Sequence, residues 1–540
     1  MRLAIASALA VVMTAAFGPG SGLGSSAAAV RGAQEIPAGL AAAIHARFGA
    51  GAIRSGRAAR VAEGPRLGIS VALSADGTTA LVGAPNVGPL STVFGPCCHW
   101  RIGAAFVFHV SSAGSWSSTD TPAATLKPDS TFPFWAGREV ALSADGTTAF
   151  VGAPSDGATP AIYVFHVSAE DAWASSSTPT AVLRVHGSAG DGPYGPLAVS
   201  SDGTTLVASA PTYDEYGGTA FVFHVPSESA WATTGDPTAT LSNEAGGDGV
   251  AISGDGTTAL LSDYSNYAEG GGGASLYHVN AEDAWTSTST PTAILSDANI
   301  GAGSWLGFAV ALSGDGSVAL VSSSVGTVDV FHASGAASWV STSTPTATLT
   351  KAGGAKGDYF GDSVGLSSDG TTALVTAPGL HAERGGAYIV HVSGEGAWAS
   401  SSAPTATLTD SGGHPHDVLA VGALSADGAT VLLGAPGFDW ETGEADVFHA
   451  ADANSWLTSS TPAATLTSSA LPKPVCVVPR LVGRTLFEAK GDLFYTNCRL
   501  GKVAKVHAKT RKQRGRVVWQ SPVPKRHRAP GTKVNLKVAK

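Results

Sequence analysis

The feature that most restricts what this 540-residue chain can fold into is a unit written seven times. A Ser-x-Asp-Gly element places its aspartate at Asp76, Asp145, Asp202, Asp255, Asp315, Asp369 and Asp427. A histidine follows in each copy, at His109, His166, His224, His278, His332, His391 and His449. Seven residues after each histidine stands a tryptophan (Trp116, Trp173, Trp231, Trp285, Trp339, Trp398, Trp456), and six residues after each tryptophan a proline. Offsets held in every copy mean one supersecondary unit repeated.

The unit reads as four short strands. In the first copy Val71 to Ser74 leads through Ala75-Asp76-Gly77 into Thr79 to Val82, and Asp-Gly between apolar runs marks a hairpin because glycine accepts the positive φ of the turn. Phe106 to Val110 and Thr121 to Leu126 supply the third and fourth strands, with Pro122 placed where a sheet edge needs no N–H. Four strands per period, seven periods, predict a mainly β chain built on a seven-bladed β-propeller. A β-solenoid is the competing architecture, but its rungs are usually shorter than this period.

The repeat resembles the FG-GAP family, the integrin-α-like propeller repeat, over about residues 66–466. Leu67-Gly68, Val71-Ala72-Leu73-Ser74 and Gly83-Ala84-Pro85 follow the family's order, and Phe360-Gly361, Gly152-Ala153-Pro154 and Gly434-Ala435-Pro436 repeat parts of it. The last element becomes Ser209-Ala210-Pro211 and Thr376-Ala377-Pro378 in two copies and is absent after Leu260 and Leu320. Many relatives hold calcium in the first turn through several acidic side chains. Each turn here offers one aspartate among serines and threonines, which argues against tight calcium binding, and no cofactor is expected. The aspartate is expected to cap its own turn.

Neighbouring copies of the histidine belong to sheets ~10 Å apart, too far to share a zinc ion with bonds of ~2 Å, so they read as strand positions between apolar neighbours. The tryptophans read as inter-sheet packing with their N–H satisfied rather than as a carbohydrate platform. Glu170-Asp171 and Glu282-Asp283 recur just before the tryptophan and read as a solvated rim. No serine-hydrolase elbow, zinc-protease or phosphate-loop motif is present, so no catalytic residue is assigned. An extracellular propeller hydrolase or lyase, with a site assembled at the channel mouth, is the alternative to a binding protein.

Met1-Arg2, the apolar run Leu3 to Phe17 and the small residues ending at Ala29 read as a secretory signal (1–29), too short for a membrane span. An N-terminal extension (30–65), the propeller (66–467) and a linker (468–473) follow, with no membrane span expected after cleavage. In the first repeat the interval from Asp76 to His109 is 33 residues, against 17 to 23 elsewhere. The insertion carries Cys97, Cys98, His99 and Trp100, a candidate partner-contacting loop; the two cysteines could form a vicinal disulfide, pair with another molecule or remain thiols.

The overall charge of −9 hides two opposite bodies. Residues 472–540 hold 18 lysines and arginines against Glu488 and Asp492, a net +16, and the remainder holds 14 basic and 39 acidic residues, a net −25. Within the basic terminus (474–540), Val477 to Gly483 reads as a strand and Thr485-x-x-Glu488 as a capping box. That box opens a helix with Leu486, Ala489 and Leu493 on one face. Three further strands are expected around Val503, Val517 to Ser521 and Val534 to Val538.

This order resembles a small α+β PASTA domain, departing from the family's Gly after Gln520-Ser521-Pro522 with Pro524. Cys476 and Cys498 bracket the strand and helix and are expected to form a disulfide, two free thiols being the alternative. The resemblance implies peptidoglycan or another anionic cell-wall polymer as partner, with Lys509, Arg511, Lys512, Arg514 and Arg516 as the candidate contact. Nucleic acid is disfavoured, since Trp519 is the one aromatic nearby. The expected whole is a secreted, cell-wall-associated binding or adhesion protein whose propeller takes a protein or glycan ligand.

Overall fold

The computed structural model describes residues 65–540 except 88–101, 130–134, 155–159, 186–194, 212–217, 244–248, 264–271, 302–303, 353–355, 381–383, 413–417, 438–441, 472–475, 495, 497, 509 and 530. The expected signal, nearly all of the extension, and Cys97, Cys98, His99 and Trp100 lie outside the described residues.

The first repeat forms β1 (Val71–Leu73), β2 (Thr79–Ala84), β3 (Ala104–His109) and β4 (Ala124–Leu126), paired antiparallel in chain order. Its turn glycine, Gly77, has φ +72°, as the Asp-Gly reading requires. The register aligns Ala72, Leu81, Val107 and Ala124 across the sheet. With a side-chain period of two, these face one neighbour while Ala80, Val82, Phe106 and Phe108 face the other. Both faces of β2 and β3 are buried, so these central strands read as continuous apolar runs rather than alternating ones.

Six more four-stranded antiparallel sheets follow, numbered here 2 to 7 and spanning 139–183, 197–243, 250–295, 310–349, 364–408 and 421–466. The seven apolar clusters among them each combine two neighbouring sheets, and the cluster holding Phe106 and Trp116 joins sheet 7 to sheet 1. Backbone bridges make the same connections: Leu126 pairs with Ser176 of sheet 2, and so on around to Leu466, which pairs with Thr119 of sheet 1.

A second set of backbone bonds closes on itself. Ala75 N donates to Ala144 O, Ala144 to Ser201, Ser201 to Gly254, Gly254 to Gly314, Gly314 to Ser368, Ser368 to Ala426, and Ala426 back to Ala75, at 2.7 to 3.1 Å. The donor is always the residue before the turn aspartate. It is small in every copy, and where it is glycine the neighbours crowd it: a Cβ on Gly314 would stand 2.1 Å from Ser368 Oγ and one on Gly254 2.6 Å from Ser201 Oγ.

The FG and GAP glycines interlock across the same interfaces. A Cβ on Gly83 would lie 2.0 Å from Gly137 O of sheet 2, and one on Gly434 would lie 2.0 Å from Gly68 O of sheet 1. In three of the four copies where the GAP glycine is replaced, a hydroxyl accepts from the residue just before the first strand of its own sheet: Ser262 Oγ from Gly249 N, Ser322 Oγ from Ala309 N and Thr376 Oγ1 from Ser363 N.

The terminal domain has one helix, α1 (Leu486–Phe494), over a mixed three-stranded sheet. Cys498–Val506 is parallel and Val517–Ser521 antiparallel to the central strand Thr532–Ala539. The capping box is reciprocal, with Thr485 N donating to Glu488 Oε2 at 2.8 Å and Glu488 N to Thr485 Oγ1 at 3.2 Å. Ala489 and Leu493 pack against Val534 and Leu536, and Cys476 and Cys498 form the expected disulfide beside them. The first expected strand is shorter than read, only Cys476–Val477, because Pro479 and the turn at Leu481 end its pairing. Among the described residues no helix is long and apolar enough to cross a membrane, which together with the disulfide is compatible with an extracellular protein.

Candidate functional site

Each turn aspartate closes its own hairpin. Asp76 Oδ1 accepts from Ser74 Oγ at 2.7 Å, Thr78 N at 3.0 Å and Thr78 Oγ1 at 2.8 Å, and Ser74 Oγ accepts from Thr79 N. Burial pushes this carboxyl up, but the bonds from Ser74 and Thr78 outweigh it and hold the pKa below the ordinary value. Asp315 and Asp369 are held down in the same way by their own serine and hydroxyl neighbours.

The repeated tryptophan also serves the turn. All seven indole N–H groups donate to the carbonyl of the turn glycine in their own sheet, for example Trp116 Nε1 to Gly77 O at 2.8 Å and Trp231 Nε1 to Gly203 O at 2.9 Å. The ring meanwhile packs on the preceding sheet, as Trp231 does edge-on to Phe150 at 5.3 Å.

The histidine is tied to the second strand. His109 Nδ1 lies 2.9 Å from Thr79 Oγ1, and five other copies repeat the pair at 2.9 to 3.0 Å. Sheet 5 has Val318 in the threonine position, and there His332 presents Nε2 to Glu395 at 3.7 Å.

Of the acidic residues before the tryptophan, Asp171 and Asp283 are exposed as a solvated rim would be, but the glutamates are not. Glu170 of sheet 2 crosses to sheet 1, accepts from Thr78 Oγ1 at 2.8 Å and from Thr79 Oγ1, and lies 3.6 Å from His109. Glu228 and Glu282 repeat this toward His166 and His224 at 4.0 and 3.6 Å. The sequence displays offsets within a repeat, whereas this contact runs between repeats. Four of the seven interfaces carry the glutamate; the others have Ala113, Ala336 or Ala453 four residues after the histidine.

These groups line an open depression of ≈ 410 Å³ between sheets 1 and 2, bordered by Asp76, Thr78, His109, Asp145, Thr147, Glu170 and Asp171. Its chemistry is spent on the scaffold: Asp76 and Asp145 hold turns and Glu170 holds the interface.

A second acidic group, Asp410, Glu444 and Asp446, gathers ligand atoms within 4.8 Å of one another between sheets 6 and 7. Residues 34 and 36 positions apart in sequence gave no signal of it. Asp446 Oδ1 accepts from Thr465 Oγ1 at 2.9 Å.

Of the basic candidates, Lys509 lies outside the described residues. Arg511, Lys512 and Arg514 are exposed on a 3-10 turn, and Arg516 Nη1 is bonded to Gly483 O at 2.8 Å. Sequence reasoning passed over Lys533 and Lys537, which share the exposed sheet face with Trp519; Lys537 Nζ stands 5.1 Å from the ring centroid. Alternation of side chains along Thr532–Ala539 was the signal available.

An FG-GAP repeat model matches residues 344–390, from the fourth strand of sheet 5 into the third strand of sheet 6. Comparison with curated proteins finds no match. The chain is thus similar to FG-GAP repeats in that segment, and its series of four-stranded sheets fits a repeat β-propeller of the binding or adhesion type.

Proposed function

We propose that the protein is secreted and envelope-associated. In this reading a seven-bladed FG-GAP-like propeller is the platform for a protein or glycan ligand, and a PASTA-type terminal domain tethers it to peptidoglycan or another anionic wall polymer. The observation that carries the tether is the charge division, +16 in residues 472–540 against −25 elsewhere, with Arg511, Lys512 and Arg514 exposed. A cationic domain concentrates a protein on an anionic polymer, and the effect weakens with salt.

Two observations favour binding over hydrolysis or lysis. The first strands of the seven sheets carry a single ionisable residue, Glu139. The turn aspartates that border the open depression between sheets 1 and 2, Asp76 and Asp145, are bonded to serine, threonine and backbone groups of their own turns, and His109 is tied to Thr79.

Co-sedimentation of the full chain with purified wall sacculi at physiological salt tests the tether. The expected result is retention well above that of a basic control protein of equal net charge; equal retention refutes it.

A further inference from the structure

The terminal sheet is covered on one side only. Its Val534, Leu536 and Val517 face α1, while Lys533, Lys537 and Ala504 on the other side are exposed and Trp519 is 43 % exposed. The register sets Arg499 opposite Lys533, and both Ala504 and Trp519 opposite Lys537. The side-chain carboxylates of the domain, Glu488 and Asp492, both belong to α1. There Glu488 caps the helix and Asp492 lies 3.1 Å from Arg484 Nε. The open face thus presents Lys533 and Lys537 beside Trp519, and the three strands of the sheet carry no Asp or Glu, a combination complementary to an anionic ligand.

We propose that this uncovered face binds an acidic polysaccharide, with a sugar ring against Trp519 and its anionic groups against Lys533 and Lys537. This rests on the tether reading and moves its contact from the turn at Arg511–Gln513 to the sheet. Lys533 and Lys537 are four residues apart on one strand, about 13 Å, a separation that suits charges repeated along a polymer rather than one small anion. An indole offers an apolar face to the C–H side of a sugar and a polar edge to its hydroxyls. A single exposed ring suits one stacked sugar, whereas single-stranded nucleic acid is usually met by several aromatics in a row.

The test uses the full chain and soluble polygalacturonate at physiological salt, with neutral dextran and single-stranded oligothymidylate as comparators. Lys533→Glu with Lys537→Glu should weaken polygalacturonate binding about tenfold or more, and Trp519→Ala should weaken it severalfold. Lys512→Glu with Arg514→Glu, an equal charge change at the turn, should leave most of the binding. Equal loss from the two double variants overturns the face assignment, as does tighter binding of oligothymidylate than of polygalacturonate. Sacculus retention without polygalacturonate binding sinks this inference and leaves the tether standing; loss of both removes the tether as well. The exposed lysine pair keeps the test decisive even where Trp519→Ala misfolds.

Discussion

Replacing Asp329 by asparagine should stabilise the protein near neutral pH and remove one component of its pH dependence. The carboxyl lies in the third strand of sheet 5, fully buried, with Oδ1 accepting from Thr348 Oγ1 at 2.8 Å and Oδ2 lacking a hydrogen-bond partner. Burial lifts its pKa from 3.8 to about 6; the Thr348 bond opposes this and the Asp297 charge adds to it. The folded protein therefore holds the proton more tightly than the unfolded chain does. Stability from this group is complete below about pH 4, falls as pH rises to about 6, and stays lost above that. A shift of roughly two units corresponds to about 3 kcal/mol. Asparagine is neutral throughout, retains an acceptor for Thr348, and puts an amide donor where Oδ2 lacked a partner. Urea unfolding of both chains at about pH 4 and about pH 8 gives the double difference, which should approach 3 kcal/mol in favour of the variant at the higher pH. Parallel stability profiles for the two chains across that range would show that Asp329 does not titrate as described.

Three further outcomes follow from packing. Trp231→Phe keeps most of the edge contact with Phe150 but strands Gly203 O, and calorimetry should show a loss of about 1–2 kcal/mol. Gly137→Ala places a Cβ 2.1 Å from Ala104 O at φ +83°, so it should cost more than the ~1–2 kcal/mol of a left-handed residue alone; a thermal midpoint like wild type would contradict the interlock. Reduction of Cys476–Cys498 opens a loop of 22 residues, for which chain entropy gives about 3 kcal/mol. Hydrogen exchange should then rise in residues 476–540 and remain unchanged in the four-stranded sheets of residues 71–466.

What could be read from the sequence was whatever lies within one repeat or one local segment. The hairpin turns and the Thr485–Glu488 box depend on neighbours a few residues apart and formed as expected, and the four strands formed too, the fourth from Ala124, past Pro122, rather than from Thr121. Contacts that cross from one repeat to the next left weaker traces. Glu170 is an ordinary surface residue by composition, and its partners Thr78 and Thr79 are 92 and 91 residues away. The sequence shows where the GAP glycine is lost and not what replaces its role; the structure shows Ser262, Ser322 and Thr376 using the position for a hydroxyl bond. In the terminal domain the basic cluster at Arg511 to Arg516 drew attention because it is contiguous. Lys533 and Lys537 of the open sheet face lie four residues apart on one strand and do not form a contiguous run, and the register brings Trp519 of the neighbouring strand beside them.

The circle of backbone hydrogen bonds through Ala75, Ala144, Ser201, Gly254, Gly314, Ser368 and Ala426 bears on how such a protein can change. A linear stack of repeats grows by one unit at either end, because each end awaits a neighbour. A circle has no end at which to fray and no vacancy to fill. An added or deleted unit must open this circle and reset the angle between every neighbouring pair. Novelty is pushed into the connections instead. The interval from turn aspartate to histidine ranges from 17 to 33 residues while the circle beneath keeps one small residue per copy.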